Sequence, residues 1–412
     1  MSTMVVPVRV IGDSQIHLWH LDSTTRLQRQ IAAESTLTQD HEPTTAASPL
    51  LLVSAAFLYE GATLRQLAAR PGTLLVDPAS QRVAVVSLAA GHSETDLAQA
   101  VALLDEAPTP TKSLRALTPA DIAVYDGKLR RHSVPTLARL EPEAAERLED
   151  QLYGAAYKGI TDLVTKWLWP RPARVGVRWC AALNLTPNQV TLFGAALMLL
   201  ALWAFAVGAF AIGLAAGWLM TYLDTVDGKL ARVRVQSSPI GHVLDHGMDI
   251  IHPPFWYLAW AWGLPANAAI WNSWDLATLA TWIFAGYLGG RVIEGLFHSL
   301  GECSMFAWRP FDAWFRLITG RRNPCMILLT VGVAIGRPDL GLLWVVWWTL
   351  LSTAILGLRL LYAAMVRLRS GPLTSWLADG EAAARRHPGS YRTFARTRAA
   401  YGSANNAAAS HG

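Results

Sequence analysis

Cysteine is nearly absent: 412 residues hold three, Cys180, Cys303 and Cys325. Their spacing makes neither a paired disulfide framework nor a zinc-ligand set. A disulfide-stapled scaffold and a thiolate metal centre drop out, and the three thiols are expected to be reduced and structural. Charge is scarce too, at 16% of residues against 52% hydrophobic. The opening residues lack a basic patch, apolar run and small-residue cleavage site, so no cleavable signal peptide is expected. Basic residues are not interleaved with aromatics on a soluble face, which argues against a nucleic-acid partner. The net charge of +5 suits an anionic membrane surface.

The averages hide a boundary. Residues 1–185 read as an ordinary soluble chain, and 188–366 read as membrane sequence. Of 18 tryptophans, 17 lie beyond residue 160, several near the ends of apolar runs as in an interfacial aromatic belt. Six spans of helical length are expected, at about 188–206, 211–234, 241–263, 276–298, 323–337 and 339–366, the fifth being the shortest. Lysine and arginine crowd one set of flanks, whereas the opposite loops, 207–210, 264–275 and 337–339, hold only Arg337. That asymmetry places both termini on the cytoplasmic side.

Against this scarcity of charge, one stretch stands out: DTVDGKLARVRVQSSPIGHVLDHGMD, from Asp224 to Asp249. Four aspartates fall inside membrane-length apolar sequence, where ionisable residues are costly and mark function. Asp224 and Asp227 are three apart and share a helix face, while Gly241, Asp245 and Asp249 form an i, i+4, i+8 stripe. Two such helices facing each other would bring all four carboxylates to one point. A pair of them ~5 Å apart repels by roughly 3 kcal/mol at an effective dielectric near 20. Divalent cations are the simplest remedy, and an oxygen-only ligand set suits Mg²⁺ or Mn²⁺.

The string Asp224-x2-Asp227-Gly228-x2-Ala231-Arg232-x8-Gly241-x3-Asp245-x3-Asp249 is similar to the signature of the CDP-alcohol phosphotransferase family at every position. The match is strong over about 30 residues, and a family-like hydropathy profile extends it to roughly 186–370. The resemblance implies an integral membrane transferase that moves a phospho-alcohol group from a CDP-alcohol donor to a hydroxyl acceptor, in phospholipid or inositol-type lipid synthesis. It implies that Asp224, Asp227, Asp245 and Asp249 hold two Mg²⁺ or Mn²⁺ ions, with Asp249 also the general base. Gly228, Ala231 and Gly241 would make room for cytidine and its phosphates, and Arg232 would contact phosphate or anchor the helix. Thr186-Pro187-Asn188 reads as a helix cap, and Asn188 is also a candidate nucleotide contact. Arg291, Arg321 and Arg322 are candidates for an acceptor phosphate, the polyol or lipid acceptor being undecided. Arg291 has Glu294 three residues on as an alternative partner. Relatives also suggest a homodimer.

The expected architecture is an all-α six-helix transmembrane domain (187–370) with a smaller N-terminal soluble α/β domain (1–140). Apolar runs at 4–11, 49–58, 73–77 and 82–88 alternate with helix-like stretches near 20–33, 62–70, 94–105 and 119–131. The domain order resembles the bifunctional inositol-phosphate cytidylyltransferase/phosphodiester synthases, but VRVIGDSQIHLWHLDS lacks a Gly-rich basic phosphate loop. A shortened, inactive nucleotidyltransferase and a purely structural domain both fit that observation. An interfacial helix is expected over 150–186 and a basic, partly disordered tail over 371–412. The competing readings are an ion-coupled transporter and a non-catalytic CDP-alcohol-binding module.

Overall fold

The structure is a computed structural model that describes residues 5–40, 48–60, 62–108, 114–236, 239–301 and 303–395, the side chains of 124, 133, 239–240 and 242–246 excepted. Among the described residues the N-terminal part holds twelve strands: β1 Val6–Ile11, β2 His17–Leu18, β3 Leu21–Asp22, β4 Leu37–Gln39, β5 Leu50–Ser54, β6 Phe57–Tyr59, β7 Thr73–Asp77, β8 Arg82–Leu88, β9 Arg115–Leu117, β10 Val124–Asp126, β11 Arg131–Ser133 and β12 Leu137–Arg139. Six of them form one mixed sheet in the order β4-β1-β5-β8-β7-β9. The central strands β5 and β7 are buried along their whole length, which is why they read as continuous apolar runs rather than alternating ones.

Alternation along each strand still sorts the side chains between two faces. Leu51, Val53, Leu75 and Val85 pack with Leu27 and Ile31 of α1 (Ser23–Ala32) and Leu64 and Leu67 of α2 (Ala62–Ala68). Leu50, Leu52, Leu74 and Val86 pack on the other face with Ala100 of α3 (Glu94–Leu103). The α/β domain is therefore as expected. The helix expected over 119–131 is not there. A short 3-10 turn, Pro119–Ile122, leads into the β10–β11 hairpin instead. The Asp126-Gly127 dipeptide turns the chain, with the Asp126 carboxylate accepting from the amides of Lys128 and Leu129.

The interfacial stretch expected over 150–186 is also in pieces. α4 (Ala145–Ala155) and α5 (Pro170–Ala182) flank a π-turn at Val164–Leu168, which Asp162 caps by accepting from the amides of Val164 and Thr165. α6 (Pro187–Ala206) follows with the anticipated start: Thr186 and Gln189 form a capping box around Pro187. Then come α7 (Phe210–Val233), α8 (Pro239–Trp262), α9 (Leu276–His298), α10 (Pro310–Ile318), α11 (Arg322–Ala334) and α12 (Pro338–Ser370). Among the described residues, α6, α9 and α12 are long and apolar enough to cross a membrane, and α11 is a shorter apolar helix. The protein is thus an integral membrane protein by its helices, although only three of the six expected spans meet that measure. α7 carries Asp224, Asp227, Lys229 and Arg232 in its last turns.

Aromatic packing fixes the bundle: Phe205 of α6 lies against Trp256 and Trp260 of α8, which share a core with Met326 and Leu329 of α11 and Val345 of α12. Gly332 of α11 meets Gly341 of α12 so closely that a Cβ on Gly332 would lie 2.6 Å from the partner's backbone. The tail to Ala395 folds back as α13 (Gly380–Arg386) and α14 (Pro388–Phe394), which bury Ala383 and Phe394 beside Phe297 of α9. Residues 396–412 of the expected disordered tail lie outside the described residues.

The two parts are locked together. Arg26 of α1 donates to the carbonyls of Val233 (2.6 Å) and Leu18 (2.8 Å), and Arg29 donates to the carbonyl of Arg234 (2.9 Å). These arginines cap the otherwise unpaired carbonyls at the C-terminal end of α7, where cations are also favoured by the helix dipole. Burial pushes the Arg26 guanidinium down to about 10, so it stays charged at neutral pH.

Candidate functional site: carboxylates at the junction of two cavities

Residues of α6, α7 and α8 line one small cavity. Asp227 is 5% exposed and accepts a 2.6 Å hydrogen bond from the Thr191 hydroxyl of α6. Asp224 and Asp249 are joined by Arg322 of α11, whose two terminal nitrogens donate at 2.5 and 2.6 Å. Thr191, Asp224, Asp227 and Asp249 share the lining of a small cavity of about 10 Å³. The side chain of Asp245 lies outside the described residues, as do those of His242 and His246. Among the described residues no three His, Cys, Asp or Glu side chains stand close enough together to hold a metal ion. Arg322 is what separates Asp224 from Asp249. His252 packs against Trp256, with ring centroids 4.6 Å apart, and hydrogen-bonds the carbonyl of Met248.

The backbone next to Asp249 shows why its position is fixed. Pro253 lies inside α8 and has no N–H to give to the carbonyl four residues earlier, which is that of Asp249. The Tyr287 hydroxyl of α9 donates to that carbonyl at 2.9 Å. The hydroxyl of one helix thus completes the hydrogen bonding of the next at the catalytic candidate.

A second cavity of about 480 Å³ opens beside the first. Thr191 and Asp227 line both. Its membrane-domain wall holds Asn188, Gly228, Ala231, Arg232 and Gly241, all of them candidates from the sequence. A Cβ on Gly228 would come 3.1 Å from a terminal nitrogen of Arg232. Arg232 is also tied to the carbonyl of Ala156 at 2.8 Å, so its anchoring and its lining of the cavity coexist.

The acceptor candidates separate. Arg322 belongs to the aspartates. Arg291 pairs with Glu294 at 2.7 Å, and Arg321 bridges to the other oxygen of the same carboxylate. Two arginines that the sequence reading missed join them electrostatically: Arg130 of the β10–β11 hairpin and Arg316 of α10. Burial drives the guanidinium of Arg316 down to about 9 and lowers that of Arg130, and Arg321 adds repulsion to each. Nε and one terminal nitrogen of Arg316 are buried without a hydrogen-bond partner, as are the Nε atoms of Arg291 and Arg321. Burial alone would raise Asp162, yet Arg316 and hydrogen bonds from Thr165 and Asn323 hold it below the usual carboxylate range. No local pattern marks Arg130 or Arg316. The position of Thr191, one turn into a capped helix that faces the motif, was the only available cue for that residue.

Carboxylates inside an apolar helical bundle, beside a cavity of small-molecule size, make this the candidate polar-substrate site of the protein. Residues 184–293 match the family model for CDP-alcohol phosphatidyltransferase. Cholinephosphotransferase 1 of Gallus gallus is 34% identical over 137 residues, 29% of this chain and 37% of that protein. The phosphatidylinositol phosphate synthase of Mycobacteroides abscessus is 36% identical over 87 residues, 19% of this chain and 40% of that one. The bifunctional IPC transferase and DIPP synthase of Rubrobacter xylanophilus is 42% identical over 65 residues, 16% of this chain and 15% of that one. The chain therefore spans less than half the length of each of these relatives.

Proposed function

We propose that the protein is a membrane-embedded CDP-alcohol phosphotransferase. The observation that carries this reading is that Asp227, on the wall of a nucleotide-sized cavity with Gly228, Ala231 and Gly241, also lines the small cavity that holds Asp224 and Asp249. An acceptor hydroxyl attacks the phosphorus that bears the alcohol, the bond to the CMP oxygen breaks, and the hydroxyl proton passes to the Asp249 carboxylate. The products are a phosphodiester and CMP. Reactions of this kind depend mainly on positioning and charge neutralisation.

The residues fit divalent ions: the donors are all oxygen, and a cationic group, Arg322, already bridges two of them. Asp224, Asp227, Asp245 and Asp249 would hold two Mg²⁺ or Mn²⁺ ions, which when bound supply electrostatic stabilisation of the phosphate oxygens. Thr191 orients Asp227, and Tyr287 orients the backbone of Asp249. The acceptor bears a phosphate in this reading. Arg130, Arg291, Arg316 and Arg321 set four positive charges against Glu294 and Asp162 in a buried place, and a buried surplus of charge calls for an anion. A phosphorylated polyol meets that need better than a neutral lipid hydroxyl.

Six spans with the termini and the aspartates on the cytoplasmic side are supported by the run of basic flanks. The α/β domain is read as having no nucleotidyl transfer of its own, because β1 runs into Gly12-Asp13-Ser14 without a basic loop. A homodimer is retained as part of the proposal. The test is CMP release by purified protein in detergent, with Mg²⁺ and with EDTA, across CDP-diacylglycerol and CDP-inositol and across polyol-phosphate and lipid acceptors. Metal-dependent release that disappears in Asp249→Asn is the expected result. Binding of CDP-alcohol with no release for any pair would overturn catalysis in favour of a binding module.

A further inference from the structure

The 480 Å³ cavity has a second wall, and it is not membrane sequence. Gln30 of α1, Tyr59 and Glu60 at the end of β6, Thr63 and Gln66 of α2, and Lys128 of the hairpin all belong to the α/β domain. The wall cannot drift from the motif helix without cost, because Arg26 and Arg29 hold the end of α7 by its carbonyls. We propose that the α/β domain is the roof of the donor site and recognises the nucleoside part of the CDP-alcohol.

Three observations support the roof. Its size lies within the roughly 300–1,000 Å³ of small-molecule sites. Its chemistry differs from end to end. Asp227 and Arg232 stand at the membrane side, where ions and phosphates belong, whereas the roof adds the amides of Gln30 and Gln66 and the hydroxyl of Thr63, beside Glu60 and Lys128, and amides and hydroxyls are groups that read a base or a ribose. Last, three polar atoms of lining residues are buried with no hydrogen-bond partner: Gln30 Oε1, Thr63 Oγ and, from the chain leaving α7, Gln236 Oε1. Unpaired buried polar groups are costly, and a polar ligand held in this cavity would relieve those whose side chains turn toward it. The Gln30 amide is already oriented, since its nitrogen donates to the Tyr59 carbonyl at 2.9 Å and leaves the oxygen to accept. An acceptor suits the exocyclic amine of cytosine and opposes the carbonyl that uracil carries in its place.

The inference rests on the transferase reading, and its test separates the two. CMP binding in the presence of Mg²⁺ is measured by calorimetry on the full chain in detergent, for the wild type, Thr63→Val and Gln66→Ala, alongside thermal unfolding. Thr63→Val removes a hydroxyl that pairs with nothing in the protein, so a purely structural role predicts unchanged or higher stability and unchanged affinity. The expected result is unchanged unfolding with CMP bound about 3- to 10-fold more weakly per variant, and a narrowed preference for CMP over UMP in Gln30→Met. Hydrogen exchange should show CMP protecting residues 23–32 and 62–68 as well as α7. CMP affinity within twofold of wild type in both variants, with protection confined to 188–249, would place the nucleotide on the membrane helices alone and overturn the roof. A wild-type chain that binds no CMP would overturn the transferase reading and the roof together.

Discussion

Replacing Arg322 by methionine keeps most of the side-chain volume and removes the charge that joins Asp224 to Asp249. The Arg322 side chain is 13% exposed, that of Asp224 is 23% exposed and that of Asp249 is 43% exposed. Removing one partner of a fully buried pair costs about 3–5 kcal/mol, and an exposed pair is worth about 0–1 kcal/mol. The Asp224 half lies toward the buried limit and the Asp249 half toward the exposed one, so a loss of about 3 kcal/mol is expected in EDTA. The two carboxylates are then left facing each other with nothing between them, an arrangement a divalent cation relieves. At a hundred times its dissociation constant such an ion returns about 2.7 kcal/mol. The assay is thermal unfolding in detergent over a Mg²⁺ titration. Arg322→Met should unfold earlier than wild type in EDTA and gain more from Mg²⁺, because the ion no longer competes with a guanidinium for the same oxygens. Equal midpoints in EDTA would refute the bridge, and an equal or smaller Mg²⁺ response would refute the idea that ion and guanidinium share the site.

Two further outcomes follow from the contacts between the domains and within the α/β domain. Arg26→Met loses two charge-assisted hydrogen bonds, to Val233 and Leu18, each worth about 1.5–3 kcal/mol. Limited proteolysis should then cut between the α/β domain and the bundle at least tenfold faster, and an unaltered cleavage rate would show that the latch is not what joins them. The hydrogen bonds from Arg139 to Asp105, both 2.8 Å, hold that carboxylate below its usual range. A depressed acid contributes stability that is full above its unfolded value, about 3.9, and is lost as pH falls through the lower folded value. Wild-type unfolding should therefore lose stability as the pH drops below about 4, and Asp105→Asn should flatten that part of the profile. Parallel profiles would remove Asp105 from the account.

What could be read from the sequence was whatever is local. The helices α6 to α9, α11 and α12 start and stop within a few residues of the apolar runs, because proline and glycine punctuate them: Pro187, Gly208, Pro338. The strands β5, β7 and β8 were legible because burial on both faces leaves runs of valine and leucine, and β1 because its valines alternate along the strand. The motif aspartates were legible because three- and four-residue spacing alone puts them on shared helix faces. The hairpin at 124–133 was misread because a charged, mixed stretch has no clear period, and the Asp-Gly turn was the cue that should have decided it. Partners far apart in sequence were invisible. Arg322 meets Asp224 from 98 residues away, and Arg130 reaches the arginine cluster from another domain. The roof over the nucleotide cavity is of the same kind. Nothing in Thr63 or Gln30 announces that α7 will be docked beneath them.

The gap that Pro253 leaves in α8 works as a vernier. Pro253 and Pro254 release two adjacent carbonyls near the site, those of Asp249 and Ile250, and the Tyr287 hydroxyl reaches the first. Were α8 to slip by a full turn against α9, the hydroxyl would face a carbonyl already engaged within the helix, and that of Asp249 would go unanswered in an apolar surrounding. The pair therefore records alignment. It makes one longitudinal setting of the two helices distinct from its neighbours, and it does so at the residue where an ångström matters most.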